Sequence, residues 1–180
     1  MRVERLRVNY QINPKFTHFP LHPDTPNEGL TLEQLFAGRN IDIPAAEAKM
    51  TKLMADEGLA YGNRTMTFNS RLSQELAKWA ETQPDGDAIH DALFRAYFVG
   101  GRNIAQIDTL VEIADSIGLS NDAARTVLES RQFKDAVDAD WQRSSELGVT
   151  GVPTFVMGEQ AVVGAQRYEV LESLIVGAPQ

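Results

Sequence analysis

Side-chain chemistry needs a nucleophile, an acid–base pair or a set of metal ligands, and this chain offers few. It has no cysteine, which removes thiolate nucleophiles, disulfides and cysteine-based metal sites together. Of its three histidines, His18 and His22 stand four apart, and Asp24 with the more distant His90 could complete a metal site. In a strand and turn, however, that spacing points two side chains to one face without making them converge. Surface or packing histidines are therefore the expected reading, and no metal or other cofactor is expected. Ser144 and Ser145 with His90 lack the Gly-x-Ser-x-Gly elbow of a hydrolase. Gly100-Gly101-Arg102 lacks the strand, glycine-rich loop and helix of a phosphate site and reads as a helix end. The acidic set Asp135, Asp138 and Asp140 reads as a solvated helix face.

The stretch with the most structural content is 148–157, Gly-Val-Thr-Gly-Val-Pro-Thr-Phe-Val-Met. A glycine-rich approach, one proline and an apolar β-branched run mark a loop feeding a strand. Proline cannot donate to a sheet ladder, so Pro153 must open the strand or sit on a bulge. An X-Pro bond is also the one place where a cis peptide costs little, and the residue types alone leave cis and trans both open. Val152 and Pro153 are thus candidates for a rigid platform that holds an extended partner chain.

The elements that would position this platform can be read in chain order. Leu6, Val8, Tyr10 and Ile12 alternate with polar residues as in a strand, while Val3, Leu6 and Tyr10 equally fit one stripe of a helix. After Asn13-Pro14, residues 16–21 predict a short strand, and 24–29 are turn chemistry throughout. Helices follow. Thr31 caps a short turn through Phe36; Pro44 opens a helix with Ala46, Met50, Leu53 and Met54 as its apolar stripe. Asn69 caps one carrying Leu72, Leu76, Trp79 and Ala80 inward, and another runs from about Asp87 to Gly100 with Ile89, Leu93, Ala96 and Tyr97 inward. Asp108 opens the next, ended by Gly118; Ser120 caps a helix through Leu128; a long one spans 133–147. A hairpin of 154–157 and 161–163, turning at Gly158-Glu159, leads to a last helix with Val170, Leu171, Leu174 and Ile175. Phe94, Tyr97, Phe98 and Trp79 are expected in the core of the helical block or lining a groove.

At 180 residues the chain can bury one ordinary core. Its 43% hydrophobic and 23% charged content is that of a soluble globular protein. No apolar run approaches a membrane span, nothing after Met1 reads as a signal peptide, and a cytoplasmic setting is expected. A formal charge of -8 argues against nucleic-acid partners.

Residues 149–156, Val-Thr-Gly-Val-Pro-Thr-Phe-Val, followed by 161–166, Ala-Val-Val-Gly-Ala-Gln, resemble the C-terminal half of DsbA-like thioredoxin folds. Residues 19–26, Phe-Pro-Leu-His-Pro-Asp-Thr-Pro, with Glu28-Gly29, are similar to the segment after the second strand in the FrnE-type branch. Residues 92–98, Ala-Leu-Phe-Arg-Ala-Tyr-Phe, and 101–104 resemble that branch's inserted helical domain. The resemblance implies an α/β architecture: a thioredoxin-like unit, incomplete at its N-terminus, over 1–30 and 148–180, with an inserted helical domain over 31–147. It makes Pro153 the counterpart of the family's cis-proline and Val152 the residue whose backbone pairs with a bound peptide. It also places a central opening strand and a Cys-X-X-Cys motif ahead of Val3–Tyr10, which matches the tail of the first helix. Without that strand, 16–21 loses its ladder partner and the 154–163 hairpin exposes an edge. Residues 6–12, or another molecule such as a second copy of the chain, are expected to fill the gap.

The lineage implied is a DsbA/FrnE-like protein thiol–disulfide oxidoreductase acting on extended peptides or protein thiols. Exchange requires an attacking thiolate and a resolving partner, so a chain with no cysteine has no catalytic residue for it and is expected to be redox-inactive as given. Two alternatives stand beside this: a non-catalytic peptide-binding protein that keeps the proline platform, and a glutathione-dependent isomerase or transferase of the kappa-like branch, which needs a hydroxyl at the start of the first helix.

Overall fold

The computed structural model describes residues 2–177. It divides into two compact units, Met1–Leu21 with Ala139–Gln180, and His22–Asp138. The divisions expected from sequence, at 30 and 147, are thus placed at Leu21 and Asp138; residues 178–180 of the expected first unit lie outside the described residues.

In the first unit, α1 (Arg2–Tyr10) settles the ambiguous opening in favour of the helix. Leu6 is 4% exposed and Val8 is 73% exposed. A strand would have put both on one face. The expectation that 6–12 fills a sheet position is corrected accordingly. α1 lies against α9 (Tyr168–Val176), held mainly by polar groups. Arg5 sits 4.2 Å over the Tyr168 ring. Asn9 Nδ2 donates to Tyr168 Oη at 2.8 Å, and Tyr10 Oη donates to Glu172 at 2.7 Å. Arg2 donates to the Gln166 carbonyl at 2.5 Å.

The strand expected over 16–21 does not form. At His18 its backbone bonds side chains of α8 (Lys134–Glu146) instead of a ladder. The His18 N–H donates to Asp140 Oδ2 at 3.0 Å, and its carbonyl accepts from Ser144 Oγ at 3.2 Å. β3 (Thr154–Met157) and β4 (Gln160–Val163) pair antiparallel, with Thr154 opposite Val163 and Met157 opposite Gln160. This sheet has two strands among the described residues.

The second unit is a helical block. Its core joins Leu76, Ala77, Trp79 and Ala80 of α4 (Arg71–Ala80) to Ile89 of α5 (Ile89–Phe94). Leu110, Val111, Ile113 and Ala114 of α6 (Ile107–Asp115) and Ala124, Val127 and Leu128 of α7 (Asn121–Glu129) complete it. Ser120 caps α7 by accepting from the Ala123 N–H at 3.3 Å. Ser70, not Asn69, is the α4 cap residue, although the Asn69 side chain still accepts from the Arg71 N–H at 2.8 Å. Two features carry no sequence periodicity. A two-residue pairing joins β1 (Leu30–Thr31) to β2 (Met66–Thr67), and Thr31 goes on to cap α2 (Leu32–Leu35) in a capping box with Gln34. After α5 the chain widens into a π-helix, Arg95–Val99. α3 (Ile43–Asp56) begins as expected, with Asp42 as cap and Pro44 in its first turn, but its stripe is not core. Met50 is 42% and Leu53 45% exposed.

One ion cluster fixes the end of this unit to its core. The Glu75 side chain is only 2% exposed and receives Arg131 in a bidentate fork at 2.7 and 2.8 Å, with Arg71 Nε at 2.8 Å. Arg71 also reaches Asp138 at 2.7 Å. Arg131 follows the end of α7 at φ 55°, a left-handed conformation uncommon outside glycine, as its own N–H and that of Gln132 bond back to Leu128 and Val127. Burial alone would raise the Glu75 pKa; the hydrogen bonds from Arg131 and Arg71 outweigh it and hold the carboxyl below its ordinary range. No helix among the described residues is long and apolar enough to cross a membrane.

A folded-state pKa below the unfolded one stabilises at pH above the ordinary carboxylate range, and the stabilisation is lost as pH falls through the depressed value. Glu75→Ala removes the carboxylate that Arg131 grips and one of the two that Arg71 reaches, and is expected to cost about 2 kcal/mol in urea unfolding at neutral pH. The deficit should shrink under acid; a variant as stable as the wild type at pH 7 would contradict this role for the cluster.

Candidate peptide-binding site

The loop that delivers the chain into β3 is built by a short series of bonds. α8 ends where the Gly148 N–H donates to Ser145 and the Val149 N–H to Ser144, both at 2.9 Å, with Gly148 at φ 66°. Thr154 Oγ1 donates back to the Gly151 carbonyl at 2.7 Å, tying the approach to the first strand residue. The Pro153 carbonyl accepts from the Gly164 N–H at 2.7 Å and so closes the open end of the hairpin. Gln166 Nε2 donates to the Val163 carbonyl at 2.6 Å, which holds the far side. Between these anchors the Val152–Pro153 peptide bond is cis.

Val152 itself is 50% exposed, and no hydrogen bond engages its backbone N–H or carbonyl among the described residues. The same asymmetry continues along β3. A strand residue points its N–H and C=O to one side, and the side alternates. Because the Pro153 carbonyl faces β4, the backbone groups of Thr154 and Val156 face the outer edge. Val156 is 42% and Val163 56% exposed, so the hairpin also shows apolar side chains on one face. Chemically, the arrangement can offer an extended chain backbone donors and acceptors beside an apolar strip.

The other residues singled out in the sequence have different placements. Ser144 Oγ is committed to the His18 carbonyl. His22 lies near Arg39 and Arg64, whose charges, after burial, lower its pKa and would repel a cation. His90 is largely buried, 3.6 Å from Glu81, and burial is the main cause of its lowered pKa. No three His, Asp or Glu side chains converge among the described residues. Gly100 and Gly101 end the π-helix: the Gly100 N–H donates to Arg95 at 2.9 Å and the Arg102 N–H to Ala96 at 2.9 Å. Sequence reasoning did not find the aromatic and basic surface around Tyr61, Arg64 and Phe98; the cluster comes from separate segments and leaves no spacing signal.

The comparisons agree with the geometry. The model of the DSBA-like thioredoxin domain matches residues 1–176. The uncharacterized protein YwbO of Bacillus subtilis is 30% identical over 105 residues, 58% of this chain and 52% of the relative. The chain thus spans about half the length of the curated relative it matches. A probable DsbA oxidoreductase from Streptomyces coelicolor superposes with a TM-score of 0.89 at 27% identity, covering 99% of this chain and 83% of that one. A 2-hydroxychromene-2-carboxylate isomerase superposes with a TM-score of 0.76 at 17% identity, covering 98% and 86%, a likeness of fold alone. With an α/β architecture, a helical block set into the sequence of the sheet-bearing unit, and a family match across nearly its whole length, this chain belongs to the DsbA-like thioredoxin-domain family.

Proposed function

We propose that this chain, of protein thiol–disulfide oxidoreductase lineage and nearest the FrnE-type branch, holds an extended polypeptide at Val152–Pro153 without exchanging disulfides with it. The observation that supports the reading is the half-exposed Val152, with its backbone groups unengaged beside the open edge of β3. Strand addition of this kind takes affinity from main-chain hydrogen bonds and selectivity from alternate side chains. The redox half of the lineage has no residue to carry it, because thiol–disulfide exchange proceeds by attack of a thiolate and the chain has no cysteine. The reading includes a cytoplasmic setting, in keeping with a chain that has no disulfide to maintain. The glutathione-using alternative requires a hydroxyl at the N-terminus of the family's first helix, whose tail α1 resembles; glutathione binding near Pro153 would favour it.

The polypeptide is expected to reduce insulin no faster than the buffer with dithiothreitol alone; turnover above that background would return the reading to catalysis. A fluorescein-labelled Val-Thr peptide should bind. Val152→Pro, which removes one backbone donor, should weaken binding by about tenfold or more, while Val152→Ala, which keeps the backbone, should leave it nearly unchanged. Equal binding by a folded Val152→Pro variant would exclude this site. Sedimentation at rising concentration separates a peptide from a second copy of the chain as the occupant of the edge.

A further inference from the structure

The helical unit holds a second surface with the features of a ligand site. Arg64 leans on two rings, its guanidinium carbon 5.7 Å from the Tyr97 centroid and 5.8 Å from that of Phe98. Its one hydrogen bond among the described residues runs from Nη1 to Tyr97 Oη at 3.2 Å, and Tyr97 Oη in turn donates to Thr67 Oγ1 at 3.1 Å. Its Nε is enclosed and has no hydrogen-bond partner. Arg39 is exposed and likewise has no ion-pair partner among the described residues. Both guanidinium groups are close enough to His22 for their charges to lower its pKa.

Arg64 is half-buried and has no carboxylate partner among the described residues, in a chain of formal charge -8. Structural arginines are ordinarily satisfied, as Arg71 and Arg131 are by Glu75. Arg64 is instead held by ring faces and a phenol, an arrangement that fixes a guanidinium without neutralising it. The apolar part of the surface adjoins it directly. Tyr61 stacks on Phe98 at 6.2 Å, and both rings are half-buried. Tyr61 is positioned by its bond to Glu47 at 3.3 Å and by Gly62, whose N–H donates to the Phe98 carbonyl at 2.8 Å. A Cβ at Gly62 would come within 2.4 Å of the Val99 carbonyl, so the close approach requires glycine. Tyr97 and Phe98 both lie on the π-helix Arg95–Val99, a device frequent at functional sites because it re-aims side chains.

We infer that Arg64 binds a carboxylate whose apolar neighbour lies on the Tyr61–Phe98 rings. A planar fork matched to a planar carboxylate gives the charged contact, and the rings supply the apolar area that raises affinity above that of a bare anion. A free aromatic acid and the C-terminus of a polypeptide ending in an aromatic residue present the same chemistry.

Titration calorimetry on the full chain tests this with 2-naphthoate, its neutral counterpart 2-naphthylmethanol, the peptide Ac-Ala-Phe with a free C-terminus, its C-terminal amide, and inorganic phosphate. Naphthoate should bind at least about tenfold more tightly than the alcohol, and the difference should collapse in Arg64→Met. The His22 imidazole resonances should move on binding, with the pKa of that group raised as the anion offsets the arginines. Tighter binding of the free-ended peptide than of naphthoate assigns the carboxylate to a polypeptide end, and the reverse assigns it to a free acid. Should Arg64→Met fail to fold, Arg64→Lys, which keeps the charge and loses the planar fork, must lower carboxylate affinity. Equal affinity for acid and alcohol, binding of phosphate as tight as of naphthoate, no binding, or binding indifferent to both substitutions would overturn the inference.

Discussion

A strand's backbone groups point to both sides, and β3 satisfies only one of them. β4 takes the inward set, beginning with the Pro153 carbonyl on the Gly164 N–H. The outward set, with the unengaged groups of Val152, faces open surface. Unpaired main-chain groups are tolerable in water and costly when enclosed, so anything that covers this edge must bring its own donors and acceptors. An extended polypeptide, the occupant proposed above, would meet that requirement. The same requirement explains why the segment 16–21, with strand-like composition, finds its partners in the side chains of Asp140 and Ser144.

The helical unit answers to a different constraint. Its core is closed by apolar residues of four successive helices, and its last turn of chain is tied down by the Glu75 carboxylate between two arginines. Compensated charge there contrasts with uncompensated charge at Arg64, where ring faces do the positioning. The first arrangement specifies a fold. The second leaves a positive group available.

Much of this was legible in the sequence where a local rule decides the outcome. Capping by Thr31 and Ser120, proline in the first turn of α3, glycine after α6 and α8, and the 154–163 hairpin all follow from single residues whose chemistry has one good use. The readings that failed or stayed open depend on what lies opposite. Residues 2–10 satisfy both periods, and packing of Leu6 with an exposed Val8 selects the helix. Residues 16–21 have strand-like composition but no strand beside them among the described residues. The Met50 and Leu53 stripe has helical spacing without an element to cover it. At the site, Val152 and Pro153 were visible through proline chemistry and family likeness, whereas Arg64 became visible only once Tyr61, Tyr97 and Phe98 were placed around it.

The most direct measurement is amide hydrogen exchange at Val152, with and without an extended peptide. A free N–H beside an open edge should exchange rapidly in the isolated chain and become strongly protected when a peptide pairs with it, together with Thr154 and Val156. Slow exchange at Val152 in the isolated chain, or peptide binding that leaves these amides unprotected, would contradict the account.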